Sequence, residues 1–232
     1  MQRYADTKGG DVNRTLLLEA IRRCGIVPAV RVQAEEQALR ALDALENGGI
    51  EVAEVAMSTP MAASILASAV ARFGSRMIIG AGTVLDAATA RHCILAGARF
   101  IVTPSLNIET IELCLRYGIA VLPGALTPTE ILAAWSAGAS CVKVFPAGSL
   151  GGASYIRALK SPMPHVELMP MGGVSLSSAR EYLDAGSFAL GVGNDLVSIA
   201  DLGEHGGAET TRRARQYRQI VLGFQEVTQH LN

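Results

Sequence analysis

The sequence predicts an α/β fold, a (β/α)8 TIM barrel with an N-terminal helix and a long C-terminal helix, on three observations. First, glycine precedes an apolar stretch at a near-constant interval: Gly25, Gly49, Gly74, Gly97, Gly118 and Gly138 stand 24, 25, 23, 21 and 20 residues apart. Gly186 follows after 48, a double interval that contains "HVELMP" behind Pro164, so the units number eight. Second, each unit reads alike: a run of β-branched and apolar residues, a polar turn, then apolar residues spaced three and four apart. Third, short loops joining strands to helices demand a parallel sheet, and eight such units fill a barrel. An open doubly wound sheet needs no count of eight, and no G-x-G-x-x-G follows the first strand.

In chain order, "DVNRTLLLEAIRRCG" reads as a helix capped by Asp11 or Asn13 that closes the bottom of the barrel. The first strand, "IVPAV", leads to "EEQALRALDALENGG", where Ala38, Leu39, Leu42 and Leu45 form one stripe. Strands two to five are "IEVAEVAM", "SRMIIG", "ARFIV" and "IAVL". In "TPTEILAAWSAGA", Thr127 or Thr129 caps a helix whose apolar face includes Ile131, Leu132 and Trp135. Strands six to eight are "ASCVKVF", "HVELMP" and "SFALGVG", and "AETTRRARQYRQIVLGFQEVTQH" forms the final helix, its arginines read as a solvated face. The expected organisation is one domain, 1–232: tail and helix 1–24, barrel 25–197, C-terminal helix 205–232.

Composition narrows the function. The 232 residues are 50% hydrophobic, enough for one substantial core. A formal net charge of −1 makes no electrostatic case for nucleic acid or an anionic membrane surface. No apolar run approaches the ~18 residues of a membrane span. "MQRYADTKGGDVNRT" lacks the apolar core of a signal peptide, so the expectation is a cytoplasmic protein. Cys24, Cys93, Cys114 and Cys141 form no C-x-x-C pair, and His92, His165, His205 and His230 have no ligand spacing. Reduced cysteines, no metal and no cofactor are expected.

In a barrel the chemistry sits at the C-terminal strand ends. Those ends carry Arg31, Glu54 with "STP" (Ser58 to Pro60) after it, Thr83, Thr103-Pro104 and Pro123-Gly124. Lys143 follows in strand six, with Phe145-Pro146 beyond it, then "MGGV" and "GVGND". Lys143 is the odd residue. A charged ammonium in an apolar strand costs several kcal/mol unless paired, neutralised or used. The chain has only three lysines, Lys8, Lys143 and Lys160, and otherwise uses arginine. Desolvation favours a neutral amine, which is a nucleophile toward ketones, and Glu54 in the same interior can pair with it and shuttle protons. A structural ion pair bracing the barrel is the alternative on these residues alone. Gly172-Gly173 and the cluster Gly191-Val192-Gly193-Asn194 fall where barrels present backbone N–H groups to phosphate, or else form tight turns.

Taken in order, "IEVAEVAMSTP", "IGAGTVL", "FIVTPS", "VLPGALTPTE", "VKVFPAGSLGG" and "LMPMGGVS" resemble the class I 2-keto-3-deoxy-6-phosphogluconate (KDPG) / 4-hydroxy-2-oxoglutarate (KHG) aldolase family. They also resemble its 2-keto-3-deoxy-6-phosphogalactonate sister group. The resemblance spans Gly25 to Val197. It implies a Schiff base on Lys143, proton transfer by Glu54, and a pyruvate pocket shaped by Thr83, Pro104 and Phe145. It further implies that Arg31 lies near the substrate's anionic groups and that Gly172, Gly173, Gly193 and Asn194 hold the phosphate. A 2-keto acid as the small-molecule partner and a homotrimer are implied as well. Two positions depart from the gluconate pattern. Ser58 stands where those enzymes carry a carboxylate-binding arginine, closer to the galactonate "NSP". Met171 stands where they carry Thr and the galactonate group a small apolar residue, so either sugar epimer stays open. A phosphate-binding isomerase or epimerase, and a non-catalytic sugar-acid-binding barrel, are the competing readings.

Overall fold

Parallel strands covered on both faces must be apolar along their whole length. In the computed structural model, which describes residues 10–229, β1 (Ile26–Val30), β2 (Val52–Ala56) and β3 (Ile78–Gly82) are buried throughout. β4 (Phe100–Val102), β5 (Ala120–Leu122), β6 (Gly124–Ala125), β7 (Val142–Val144), β8 (Leu168–Pro170) and β9 (Leu190–Val192) complete the set. Pro123 separates β5 from β6, so the fifth unit supplies two short strands, and the last three units supply β7, β8 and β9. Residues 1–9 and 230–232, with Lys8 and His230 among them, lie outside the described residues.

All strand pairs are parallel. Hydrogen bonding orders β5-β4-β3-β2-β1-β9 in one sheet of six strands and β6-β7-β8 in a second of three. The architecture is thus an α/β fold with a parallel sheet curled into a half-barrel, of TIM-like type. Between the two sheets Met171 bridges Gly191, and the Phe188 N–H donates to the Leu168 carbonyl at 2.8 Å.

The repeat glycines mostly follow helix ends. Gly25, Gly49, Gly97, Gly118, Gly138 and Gly186 all have positive φ, the left-handed turn that ends a helix without a Cβ penalty. Gly74 is the exception, at φ −59°. Helix α1 (Gly10–Cys24) packs against β1, β2 and β5, which places it across the N-terminal ends of the strands. It already includes Asp11 and Asn13, so neither precedes it as the expected cap. In α2 (Glu35–Asn47), Ala38, Leu42 and Leu45 of the expected stripe are buried, with Leu39 at its margin. Helices α3 (Ala62–Phe73), α4 (Ala87–Leu95) and α5 (Ile108–Arg116) continue the alternation. A capping box of Thr127 and Glu130 opens α6 (Pro128–Ser136), whose buried residues are Ile131 and Ala134. Leu132 is 44% exposed, a correction to its expected place on the buried face. Its neighbour Ile131 takes the core direction in this short helix, and the turn of about 100° per residue carries Leu132 toward the outside.

Helices α7 (Ala153–Lys160) and α8 (Ala179–Asp184) follow the sixth and seventh units. A short α9 (Ile199–Glu204), not foreseen in the sequence, precedes α10 (Ala208–Gln229). Nor is every α10 arginine merely solvated: Arg213 pairs with Asp195, and Arg218 donates to the carbonyls of Arg23 and Cys24. Buried Asp201 in α9 accepts from the Thr210 N–H and hydroxyl, both at 2.8 Å, and from the Glu209 N–H at 3.1 Å. It thereby satisfies amides of α10's first turn. Asp201→Ala is expected to lower stability by about 1–2 kcal/mol, read as a lower urea midpoint at unchanged m value.

Candidate active site

Because the strands are parallel, their C-terminal ends come together at one rim. Register places Glu54 beside Ala29 of β1 and Gly80 of β3. Lys143 stands beside Gly124 of β6 and Met169 of β8. Both side chains open on one cavity of about 570 Å³, which Arg31, Thr83, Pro104 and Phe145 also line. Met171, Gly172, Gly173, Gly193 and Asn194 line it as well. Of the residues to which the resemblance gives a part in the site, Ser58 alone is not on that wall; Thr103, Pro123, Gly124 and Pro146, also named at strand ends, are not on it either. The Ser58 hydroxyl accepts from Arg31 Nε at 3.1 Å, so it touches the cavity through the guanidinium. Arg31 Nη2 also reaches Thr83 Oγ1 at 3.4 Å.

Glu54 is 1% and Lys143 4% exposed. Burial pushes the Glu54 carboxyl above its ordinary value, opposed by the positive charges of Lys143 and Arg31. Burial likewise pushes Lys143 below its ordinary value; Glu54 opposes this and Arg31 adds to it. Both shifts disfavour the charged forms. Among the described residues Glu54 Oε2 has no hydrogen-bond partner, leaving a buried acceptor facing a cavity. Lys143 Nζ lies 5.0 Å from the centroid of the Phe145 ring, which covers the amine while remaining 38% exposed itself.

Local sequence makes room for this pair. A Cβ at Gly82 would come within 2.3 Å of Glu54 Oε1, so a side chain there would displace the carboxylate. Thr83 next to it holds φ +56°, a left-handed conformation that a β-branched residue adopts rarely and mostly at functional sites. Gly172 and Gly173 also have positive φ, and a Cβ on Gly173 would lie 2.9 Å from Gly148 Cα. Gly193 differs: a Cβ there would meet nothing within 4 Å. The fold has no steric need of that glycine, and it stands on the cavity wall.

The sequence reading gave Ala29, Val174, Ser175 and Asp195 no role; together with Gly191, part of the second glycine cluster, they complete the wall. Ser175 and Asp195 each sit within two residues of a glycine already singled out, which was the available signal. Ala29 and Val174 are ordinary strand and turn residues with no chemical mark. Among the described residues no group of three His, Cys, Asp or Glu side chains could hold a metal ion, and no helix is long and apolar enough to cross a membrane.

Residues 17–211 match the family model described as KDPG and KHG aldolase. The chain belongs to the KDPG and KHG aldolase family. It is 34% identical over 205 residues to the 2-dehydro-3-deoxy-phosphogluconate aldolase of Treponema pallidum (strain Nichols), covering 88% of this chain and 97% of that protein. It is 30% identical over 205 residues to the 2-dehydro-3-deoxy-6-phosphogalactonate aldolase of Escherichia coli (strain K12), covering 88% and 96%. Its structure matches the KDPG aldolase of Legionella pneumophila, captured with pyruvate as a covalent carbinolamine, with TM-score 0.80 and 28% identity over 85% of this chain and 96% of that one.

In this family member the electrostatics alone set a pH signature. Lys143 should react with a small amine-directed reagent along a titration curve whose midpoint lies below the ordinary 10.5. Glu54→Gln removes the charge that opposes the shift, so the midpoint should move lower still. Peptide mass spectrometry across a pH series measures both.

Proposed function

We propose that the chain is a class I aldolase that cleaves a 2-keto-3-deoxy-6-phospho sugar acid, of gluconate or galactonate type, to pyruvate and glyceraldehyde 3-phosphate. One observation carries the reading: a buried lysine whose ammonium form is disfavoured by burial shares a cavity with a buried carboxyl whose charged form burial disfavours too. The neutral Lys143 amine attacks the C2 ketone, and the carbinolamine loses water, assisted by Glu54, to give a protonated imine. Glu54 then takes the C4 hydroxyl proton as the C3–C4 bond breaks; the bonding pair flows into the iminium, leaving an enamine. Protonation at C3 and hydrolysis of the imine release pyruvate. The iminium is the electron sink, so these steps call on no metal.

Arg31, steadied by Ser58 and Thr83, supplies positive charge for the carboxylate. Thr83, Pro104 and Phe145 shape the pyruvyl pocket, with Met171 near C4. Gly172, Gly173, Gly193 and Asn194 hold the phosphate; the open space beside Gly193 supports this part of the reading. A closed (β/α)8 barrel over 25–197, within one domain of 1–232, belongs to the same proposal. The Met171–Gly191 bridge, the Lys143 N–H bond to the Pro123 carbonyl and the span of α1 between β1 and β5 support closure. The four free, buried cysteines fit a cytoplasmic setting. Exposed Met61, Leu85 and Leu95 offer apolar surface for a homotrimer.

Borohydride reduction with pyruvate should leave one stable pyruvyl adduct, on Lys143, lost in Lys143→Ala together with turnover. A bound but untrapped pyruvate would return Lys143 to a structural cation and bring an isomerase forward; ligand-induced stabilisation without turnover would indicate a non-catalytic binder. Gly193→Ala should keep stability within about 0.5 kcal/mol while raising KM for the phosphorylated substrate about tenfold by filling the space beside its phosphate.

A further inference from the structure

Asp195 is an awkward residue on this wall. It follows Gly193 and Asn194, and an uncompensated carboxylate there would repel a phosphate dianion. Its charge is taken up from outside the cavity. Arg213 Nη2 and the Tyr217 hydroxyl both meet Asp195 Oδ2 at 2.5 Å, and Arg213 Nε donates to the Asp195 carbonyl oxygen. The two donors stand four residues apart on α10, hence on one face of the helix. Tyr217 is wholly buried; burial first, then its bond to Asp195, pushes the phenol above its ordinary value, so it stays a donor. The Leu196 and Val197 N–H groups both turn back to the Gly193 carbonyl, at 2.9 and 3.2 Å, making 193–197 one tight loop. Asp201 holds the start of α10, and Arg218 ties its middle to α1. The final helix is therefore tied to the cavity wall through Asp195.

We propose that the Arg213–Asp195–Tyr217 cluster is a positioning device that both fixes the 193–195 loop and cancels the Asp195 charge. It thereby sets the preference for a phosphorylated over an unphosphorylated 2-oxo acid. For its substrate the inference rests on the aldolase reading above. Arg213 and Tyr217 do not line the cavity, so they act through Asp195 and not on the ligand.

The test uses the full chain and its Arg213→Met, Arg213→Lys and Tyr217→Phe variants. KM and kcat are measured for the phosphorylated substrate and its unphosphorylated counterpart, and inorganic phosphate is titrated into each protein. Arg213→Met should raise KM for the phosphorylated substrate about tenfold and weaken phosphate binding alike, with the unphosphorylated reaction changed less than about twofold. Added salt should shrink the defect, because repulsion between like charges is screened. Arg213→Lys keeps the charge and should recover most of the loss. Tyr217→Phe removes one hydrogen bond and no charge, and should cost about threefold. An unchanged substrate preference and unchanged phosphate binding in Arg213→Met overturn the proposal, as does an equal loss on both substrates. If wild type forms no pyruvate adduct yet loses phosphate binding in Arg213→Met, the aldolase reading falls and the device stands. A normal adduct with phosphate binding unchanged in Arg213→Met sinks the device alone.

Discussion

The rest of this site is arranged around two ionisable groups of opposite sign sealed into an apolar interior. Burial penalises the charged form of each, and their mutual attraction opposes both penalties. Arg31 acts on the two unequally, drawing Glu54 toward the carboxylate and Lys143 toward the neutral amine. A buried pair of this kind is weak evidence for stability, since well-packed apolar residues would commonly serve the fold as well or better. It is better evidence for chemistry, because a desolvated amine beside a carboxyl is costly to keep and useful to a ketone. The orphaned Glu54 oxygen points the same way: a purely structural ion pair would satisfy its acceptors.

Glycines around the cavity divide into two kinds, and the division matters for reading function. Gly80 and Gly82 are required by neighbours already present: a Cβ would strike the Phe100 ring at one and the Glu54 carboxylate at the other. Gly172 and Gly173 are required by positive φ and by the approach of Phe145 and Gly148. Their presence therefore says nothing decisive about phosphate. Gly193 has neither excuse, with no positive φ and no neighbour within 4 Å of a Cβ. Glycine where the fold asks for none is the more informative kind.

How much was legible in the sequence follows from the range of the forces involved. The strand–helix alternation is local and periodic, so glycines at 20 to 25 residues marked the units. Parallel pairing then carries a strand-end position in the sequence to the rim in space, which is how Arg31, Glu54, Thr83 and Lys143 could be named together. What escaped was set by contacts between distant segments. Leu132 and Ile131 are equally apolar, and only packing decides which turns inward. The short α9 lacks a long periodic stripe. Ser58 reaches the site through its bond to Arg31, a pairing across 27 residues that no local pattern encodes.

The same logic explains why α10 looked like a solvated appendage. Its arginines are indistinguishable along the sequence, yet Arg212 pairs within the helix while Arg213, one position on, turns to Asp195. A rotation of about 100° per residue separates surface from structure here. The arginine that faces inward meets an acid on the cavity wall, 18 residues upstream. An arginine whose guanidinium is held by both a side chain and a backbone carbonyl of one loop residue restrains that loop in a way a freely solvated charge does not. The final helix thus bears on the rim of the cavity, and a function read from the strand ends alone would leave out the element that anchors one of them.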